Sequence, residues 1–461
     1  MTMCPDASPT HYTNPFFYGK ASVSPALSIE SLRTRQPLLW LNPALSPVAE
    51  VGAPLPLGLE DIRTADALLR RWAPALTEWF PELLATQGVI ESPLVRLSDP
   101  PAVLRTKMPG NVWIKQDHAL PVAGSIKARG GIFEVLTIAE DIMAKEGQAW
   151  TTPLAPLQPA LRRRFADYTV SVGSTGNLGL AIGMMGSALG MNCVVHMSRD
   201  AKDWKKRRLR DRGVIVIEHD GDFAAAVAAG RSAARQEQRH YFVDDERSRS
   251  LFLGYATAAL RLREQLAEAG IVVDPGHPLF VYLPCGVGGA PGGIAFGLKQ
   301  VFGDAVHGFF AEPCASASML ARFMTGVPEI SVHDVGLDNV TEADGLAVGR
   351  ASEFAYAMVR ELVSGIFTVR DDDMFRYLYR LRTTQGIAIE PSAAAGFAGP
   401  AMLWDTAEGR RYLDERNLRP VLAQATHLLW TTGGALVPAG EYQRFFDRGQ
   451  ALAAKHEAAT R

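Results

Sequence analysis

Disulfide and metal frameworks are the first things this chain lacks. Its 461 residues hold four cysteines, Cys4, Cys193, Cys285 and Cys314, too scattered for a ligand pair or a bridge pattern. Such usage fits a reducing cytosol. A dominant charge is also missing: 47 basic residues face 49 acidic ones, a net charge of −2. No global field favours nucleic acid or an anionic membrane. Apolar stretches such as residues 178–195 are interrupted by glycines and Asn192, which argues against a membrane span. Residues 1–18 are polar and proline-bearing, without the charged start and apolar core of a secretory signal. A cytoplasmic location is expected. The densest basic run, residues 205–212, reads as the solvated face of a helix.

What is present is the composition of a globular protein, 47% hydrophobic and 21% charged. The length exceeds one usual core, so two or more domains are expected. Residues 1–58 read as an irregular extension rich in Pro, Ser and Leu. The spacing of Ile62, Leu68, Leu69, Trp72, Leu76 and Trp79 predicts a helix over 60–84. The main fold opens near Ser92-Pro93-Leu94-Val95-Arg96-Leu97, and 112–115 is a strand. Strands are then expected at 168–172, 193–197, 214–218, 241–243 and 279–283. Helices are expected at 177–189, 200–211, 223–236, 251–268 and 292–301. Such alternation predicts an α/β fold with mostly parallel sheets, whose ligands bind at the carboxyl ends of strands.

Three loops carry candidate chemistry. Gly124-Ser125-Ile126-Lys127-Ala128-Arg129-Gly130 sets a lysine among small residues. To form a Schiff base its amine must lose a proton near neutral pH, which desolvation or a cationic neighbour promotes. Arg129 is such a neighbour, and the glycines leave room for a ring; a solvated surface lysine is the plain alternative. Ser174-Thr175-Gly176-Asn177 is a polar turn at a helix start, suited to a carboxylate or to simple capping. Gly286-Val287-Gly288-Gly289-Ala290-Pro291-Gly292-Gly293 follows an apolar strand and precedes a helix, the arrangement of an anion cradle, or of a tight turn under close helix packing. No Gly-Lys-Ser/Thr closes it. No acidic residue ends a strand about twenty residues on, as a dinucleotide site requires. Thr431-Thr432-Gly433-Gly434 follows the apolar Leu428-Leu429-Trp430, and His427 reads as structural.

Together these stretches resemble the tryptophan-synthase-like (fold type II) pyridoxal-phosphate enzymes, and within them the D-serine-dehydrating branch. Phe242-Val243-Asp244-Asp245-Glu246 and Ala343-Asp344-Gly345-Leu346-Ala347-Val348-Gly349-Arg350 add to the likeness, which spans about residues 92–440. The resemblance implies two α/β domains with pyridoxal 5'-phosphate in the cleft between them. Residues 1–91 would form an extension packed on the body, 126–236 the smaller domain, and 92–125 with 237–461 the larger one. It implies Lys127 as the Schiff-base lysine, Asn177 beside the ring hydroxyl, and Gly286, Val287, Gly288 and Gly289 around the phosphate. Thr432 would be the neutral partner of the pyridine nitrogen. Ser174, Thr175 and Gly176 would bind the substrate carboxylate, and Glu312 a monovalent cation. A D-substrate presents the opposite face, so Asp244 or Asp245 assists as acid or base, or caps the following helix. Ala290 stands where a further glycine is common, and Ile126 where many L-amino-acid dehydratases carry Phe. The expected reaction is elimination from D-serine to pyruvate and ammonia by a protein able to act as a monomer. An L-serine or L-threonine dehydratase of the same fold is the rival, disfavoured by the extension and the Asp244-Asp245 segment; the lack of a regulatory domain after residue 440 disfavours a feedback-controlled threonine enzyme. A nicotinamide-dependent oxidoreductase using the Gly286 loop, or a non-catalytic binding protein, are the alternatives from other classes.

Overall fold

The structure, a computed structural model, describes residues 28–459 apart from 53–54, 148–151, 153, 175, 200 and 221–222. Apolar runs too short for helices become strands in two sheets. The larger sheet has seven strands: β1 (Leu39–Leu41), β2 (Leu94–Arg96), β3 (Asn111–Gln116), β8 (Leu279–Pro284), β9 (Val306–Pro313), β10 (Gly365–Val369) and β11 (Thr426–Thr431). Their spatial order is β1-β10-β9-β8-β11-β3-β2. The five central strands are parallel, with β1 and β2 antiparallel at the two edges. Every residue of β8, β9, β10 and β11 is buried, as expected of parallel strands covered by helices on both faces.

The smaller sheet is wholly parallel: β4 (Thr169–Gly173), β5 (Asn192–Ser198), β6 (Ile215–His219) and β7 (His240–Val243), in the order β6-β5-β4-β7. Its last strand lies past the boundary expected at residue 236, because the apolar Tyr241-Phe242-Val243 completes the sheet beside β4. The stretch read as irregular contains a strand as well: Leu39–Leu41 pairs with β10, closing an edge that would otherwise expose unpaired backbone groups. Residues 1–27 lie outside the described residues.

The helix expected at 251–268 is two, Arg249–Ala256 and Ala258–Glu268. The break falls at Thr257, whose hydroxyl donates to the Gly254 carbonyl at 2.8 Å, a local bond that competes with the helix ladder. The basic run also departs from expectation. In the helix Asp203–Arg210, Lys205 and Lys206 are buried, 1% and 3% exposed. Lys206 pairs with Glu218 at 2.8 Å, and Lys205 reaches Asp344 at 2.9 Å. Only part of that run faces solvent, because each buried ammonium has its own carboxylate. No described helix is long and apolar enough to cross a membrane.

Candidate active site

The carboxyl ends of β4, β8 and β11 open onto one cleft of about 730 Å³. Lys127 is the first residue of the helix Lys127–Lys145, and its amine projects into this cleft. The loop before it is stitched to the β11 end: Ile126 N–H donates to the Thr432 carbonyl at 2.8 Å, and Ser125 bridges to Gly433. Thr432 therefore lines the same cleft as Lys127. Arg129 does not act as a cationic neighbour of that amine. It turns into the core, 4% exposed, where Asp117 and Glu91 accept from it. Nor do the following glycines make room for a ring. A Cβ at Gly130 would collide with Tyr255, and one at Gly131 would crowd Ala181, so both serve close helix packing.

The glycine turn after β8 leads into the helix Gly289–Phe302. Gly288 has φ +106°, a left-handed conformation that glycine adopts without penalty. A Cβ there would also strike Met319. The first N–H groups of a helix have no partner within it, and the dipole favours an anion at that end. Gly286, Val287 and Gly288 line the cleft, Gly289 opening the helix behind them. Among the described residues, Lys127 is the only lysine or arginine lining the cleft.

Asp245 is the nearest charge to that amine, with Oδ2 3.8 Å from Lys127 Nζ. Its Oδ1 is buried and has no hydrogen-bond partner. The Tyr255 ring lies beneath the amine at 5.7 Å, and burial raises its phenol far above the usual value. Glu134, one side of this group, is pushed up to about 7 by burial, against the Ser248 hydroxyl that donates to it. Asp244 faces elsewhere. It pairs with Arg231 at 2.8 Å and accepts from the Glu246 N–H. Ser248, not either aspartate, caps the following helix.

Ser174 and Asn177 line the cleft from the β4 side. Ser174 Oγ accepts from the Gly176 and Gly179 N–H groups, both at 3.0 Å. Gly176 lies outside the lining, φ +146°, and a Cβ on it would run into the Lys205 chain. Thr175 lies outside the described residues. Asn177 Nδ2 donates to Glu390 Oε1 at 3.0 Å. Asp344, Glu390 and Ser392, to which the sequence reading gave no task, complete the wall. Burial raises the Glu390 carboxyl against the opposing Lys205 ammonium, whereas the Lys205 charge overcomes burial and lowers Asp344. Asp344 lies in a stretch that carries the resemblance and Lys205 in the basic run expected to face solvent, whereas Glu390 carries no local signal.

Glu312 sits at the end of β9, fully buried. An acid was not expected at a strand end about twenty residues after the glycine turn, but Glu312 occupies one. Its two oxygens accept from the Met319 and Leu320 N–H groups at 2.8 Å each, and burial pushes its carboxyl up to about 8. Both oxygens are thus engaged by the chain's own backbone. Cys285 is buried beside the turn, and burial raises its thiol. His427 is held between Tyr282 and the Pro109 carbonyl and lowered to about 4 by burial, a structural histidine as expected. No described group of three or more His, Cys, Asp or Glu is arranged to hold a metal ion.

The donor set suits a phosphorylated aldehyde with a pyridine ring. An amine stands between an anion cradle, a hydroxyl and an amide, and glycine keeps the cradle's backbone accessible.

Comparison with known proteins bears on this fit. A family model described as pyridoxal-phosphate dependent enzyme matches residues 85–414. The chain is 55% identical over 433 residues to a probable D-serine dehydratase of Acidovorax ebreus, covering 91% of this chain and 96% of that protein. It is 51% identical over 450 residues to a probable D-serine dehydratase of Cupriavidus pinatubonensis, covering 95% and 99%. Among solved structures it is similar to diaminopropionate ammonia lyase from Escherichia coli in complex with D-serine, with TM-score 0.70 and 20% identity over 90% of this chain and 98% of that one. That last likeness bears on the fold alone.

Proposed function

The chain belongs to the pyridoxal-phosphate-dependent enzymes, and from that membership we propose that it eliminates water from D-serine, releasing pyruvate and ammonia. The observation that carries the substrate is the 55% identity, over 91% of the chain, to a protein named for that reaction. The cleft supplies the groups the reaction needs.

Pyridoxal phosphate, when bound, supplies an electron sink for the pair left at the substrate Cα as its proton departs. Lys127 is the amine that would hold it covalently. The turn of Gly286, Val287, Gly288 and Gly289 would take its phosphate at the helix start. Thr432 would face the pyridine nitrogen and Asn177 the ring hydroxyl. A hydroxyl partner leaves that nitrogen largely unprotonated, which favours rapid elimination over transamination.

The turn at Ser174, Thr175 and Gly176 would bind the substrate carboxylate. Ser174 Oγ already accepts two N–H bonds, so its O–H is left to donate. Asp245 is the proton carrier of the pair. Its carboxylate lies beside Lys127, and its unpaired Oδ1 can take or give a proton at the β-hydroxyl or Cα. Asp244 steadies the segment through Arg231. The Cα proton and the hydroxyl leave as water. The enamine then leaves the enzyme and hydrolyses to pyruvate and ammonia. Glu312 is read as the carboxylate beside a monovalent cation, so turnover in potassium against tetramethylammonium buffer is the check on it. The three described cysteines are free and buried, which suits a cytoplasmic enzyme; we read it as able to act as a monomer.

Pyruvate release from D-serine and from L-serine, with Lys127→Ala as control, tests the reading. Turnover of D-serine, abolished in the control, is expected. Preference for L-serine would overturn the substrate. The nicotinamide alternative leaves Lys127 without a task, and a yellow protein bleached by borohydride would exclude it.

A further inference from the structure

The amide of Asn177 is held from two sides by residues that the proposed chemistry does not use. Glu390 Oε1 accepts from Asn177 Nδ2 at 3.0 Å. This contact is possible only because residue 433 is glycine, since a Cβ there would overlap the Glu390 carboxylate and come within 3.1 Å of Asn177 Nδ2. Glu390 is itself fixed at both ends: its N–H donates to the Gly433 carbonyl at 3.0 Å, and its carbonyl accepts from the Ala393 N–H at 3.0 Å. On the other side Lys205, buried and tied to Asp344 at 2.9 Å, lies where a side chain on Gly176 would be. It thereby fixes the backbone that leads into Asn177.

An asparagine amide presents a donor edge and an acceptor edge, and its neighbours decide which faces a ligand. We propose that Glu390 is a positioning residue that locks the Asn177 amide so that its N–H edge, and not its carbonyl, is offered to the group bound at Lys127. The inference rests on the cofactor reading above. An N–H offered to the ring hydroxyl favours its ionised form, which absorbs in the visible. A carbonyl offered there favours the neutral hydroxyl, which absorbs at shorter wavelength. A carboxyl oxygen accepts from Asn177 whether Glu390 is ionised or not.

The test compares wild type, Glu390→Ala, Glu390→Met and Glu390→Gln as holoenzymes, reading the absorption spectrum and cofactor affinity. The Met variant keeps the side-chain volume, so folding is preserved if Ala proves too small. Ala and Met lack the acceptor, and a shift of the visible band to shorter wavelength with about a tenfold loss of cofactor affinity is expected. Gln keeps a carbonyl and restores both. In an Asn177→Ala background the Met substitution adds nothing further. A wild-type spectrum and affinity in Glu390→Met would overturn the inference. So would a Gln variant as impaired as Met, since Glu390 would then serve as the counter-charge of Lys205. A wild-type protein with no borohydride-sensitive band would sink the cofactor reading, and this inference with it.

Discussion

Asp245 keeps a carboxylate oxygen buried without a hydrogen-bond partner, at a cost of about 1–3 kcal/mol, beside the Lys127 amine. Such a cost is tolerated where the group has a task. Its neighbour Asp244 is satisfied by Arg231 and the Glu246 N–H. The two therefore respond differently to the same change. Asp245→Asn is expected to lower kcat for D-serine about 100-fold or more, with the cofactor still bound. Asp244→Asn is expected to change it less than about fivefold, the scale of a partly exposed ion pair. Steady-state kinetics with a parallel absorption spectrum checks both. That Lys127, Asn177, Gly286 and Thr432 line one cleft was legible in the sequence because each sits in a turn whose chemistry is local: glycines, a polar helix start, the end of an apolar strand. Glu390 and Lys205 were not. Their partners, Asn177 and Asp344, are more than a hundred positions away, and nothing near them distinguishes a carboxylate lining the cleft, or a lysine buried behind it, from one in solvent.

Helix starts and helix contacts put the glycines to different uses. Gly293 lies in the helix Gly289–Phe302 against the helix Arg249–Ala256, and a Cβ on it would fall 2.9 Å from the Tyr255 Cβ and closer still to the Phe252 carbonyl. Backbone cannot yield as a side-chain tip does, so Gly293→Ala is expected to destabilise by about 1–3 kcal/mol. Gly440, in the helix Ala439–Ala459, meets nothing within 4 Å. Gly440→Ala restricts the unfolded chain at no steric cost and is expected to stabilise by about 0.4–1 kcal/mol. Thermal unfolding of the two variants separates these signs. The same scale shows where periodicity stops informing. The strand and helix alternation from β4 to the helix Gly289–Phe302 was legible because buried parallel strands are short apolar runs bounded by turns. The break at Thr257 was not, since a threonine bonding back to Gly254 leaves the apolar spacing on either side unchanged. Neither was β1, three residues whose strand character comes from pairing with β10.

Across the whole molecule, one buried ionic cluster ties the segment before β2 to β3, β11 and the Lys127 helix. Glu91 accepts from Lys115 at 2.6 Å and from Arg129, while Asp117 accepts from Arg129, Ser92 and Trp430. The Arg129 and Lys115 charges overcome burial and hold the Glu91 carboxyl down at about 2, against 4.5 when free. A carboxyl depressed in the folded state stabilises above its unfolded value, and that stability is lost as pH falls through 2. Glu134 has the opposite sign: raised by burial from 4.5 to about 7, it stabilises fully below 4.5, a contribution lost as pH rises through 7. The two bracket a stability maximum near pH 5. Glu134→Gln is expected to flatten the fall in Tm between pH 5 and 7. Glu91→Gln removes the charge facing two buried cations, so it is expected to cost about 3–5 kcal/mol at neutral pH and to flatten the acid limb. Arg129 is anchored by this cluster two residues from Lys127, so part of the loss should reach the cleft as weaker cofactor retention. Denaturant unfolding of Glu91→Gln across pH 3 to 8 is the measurement. Stability equal to wild type at neutral pH, with an unchanged acid limb, would show that Asp117 alone suffices to hold both cations.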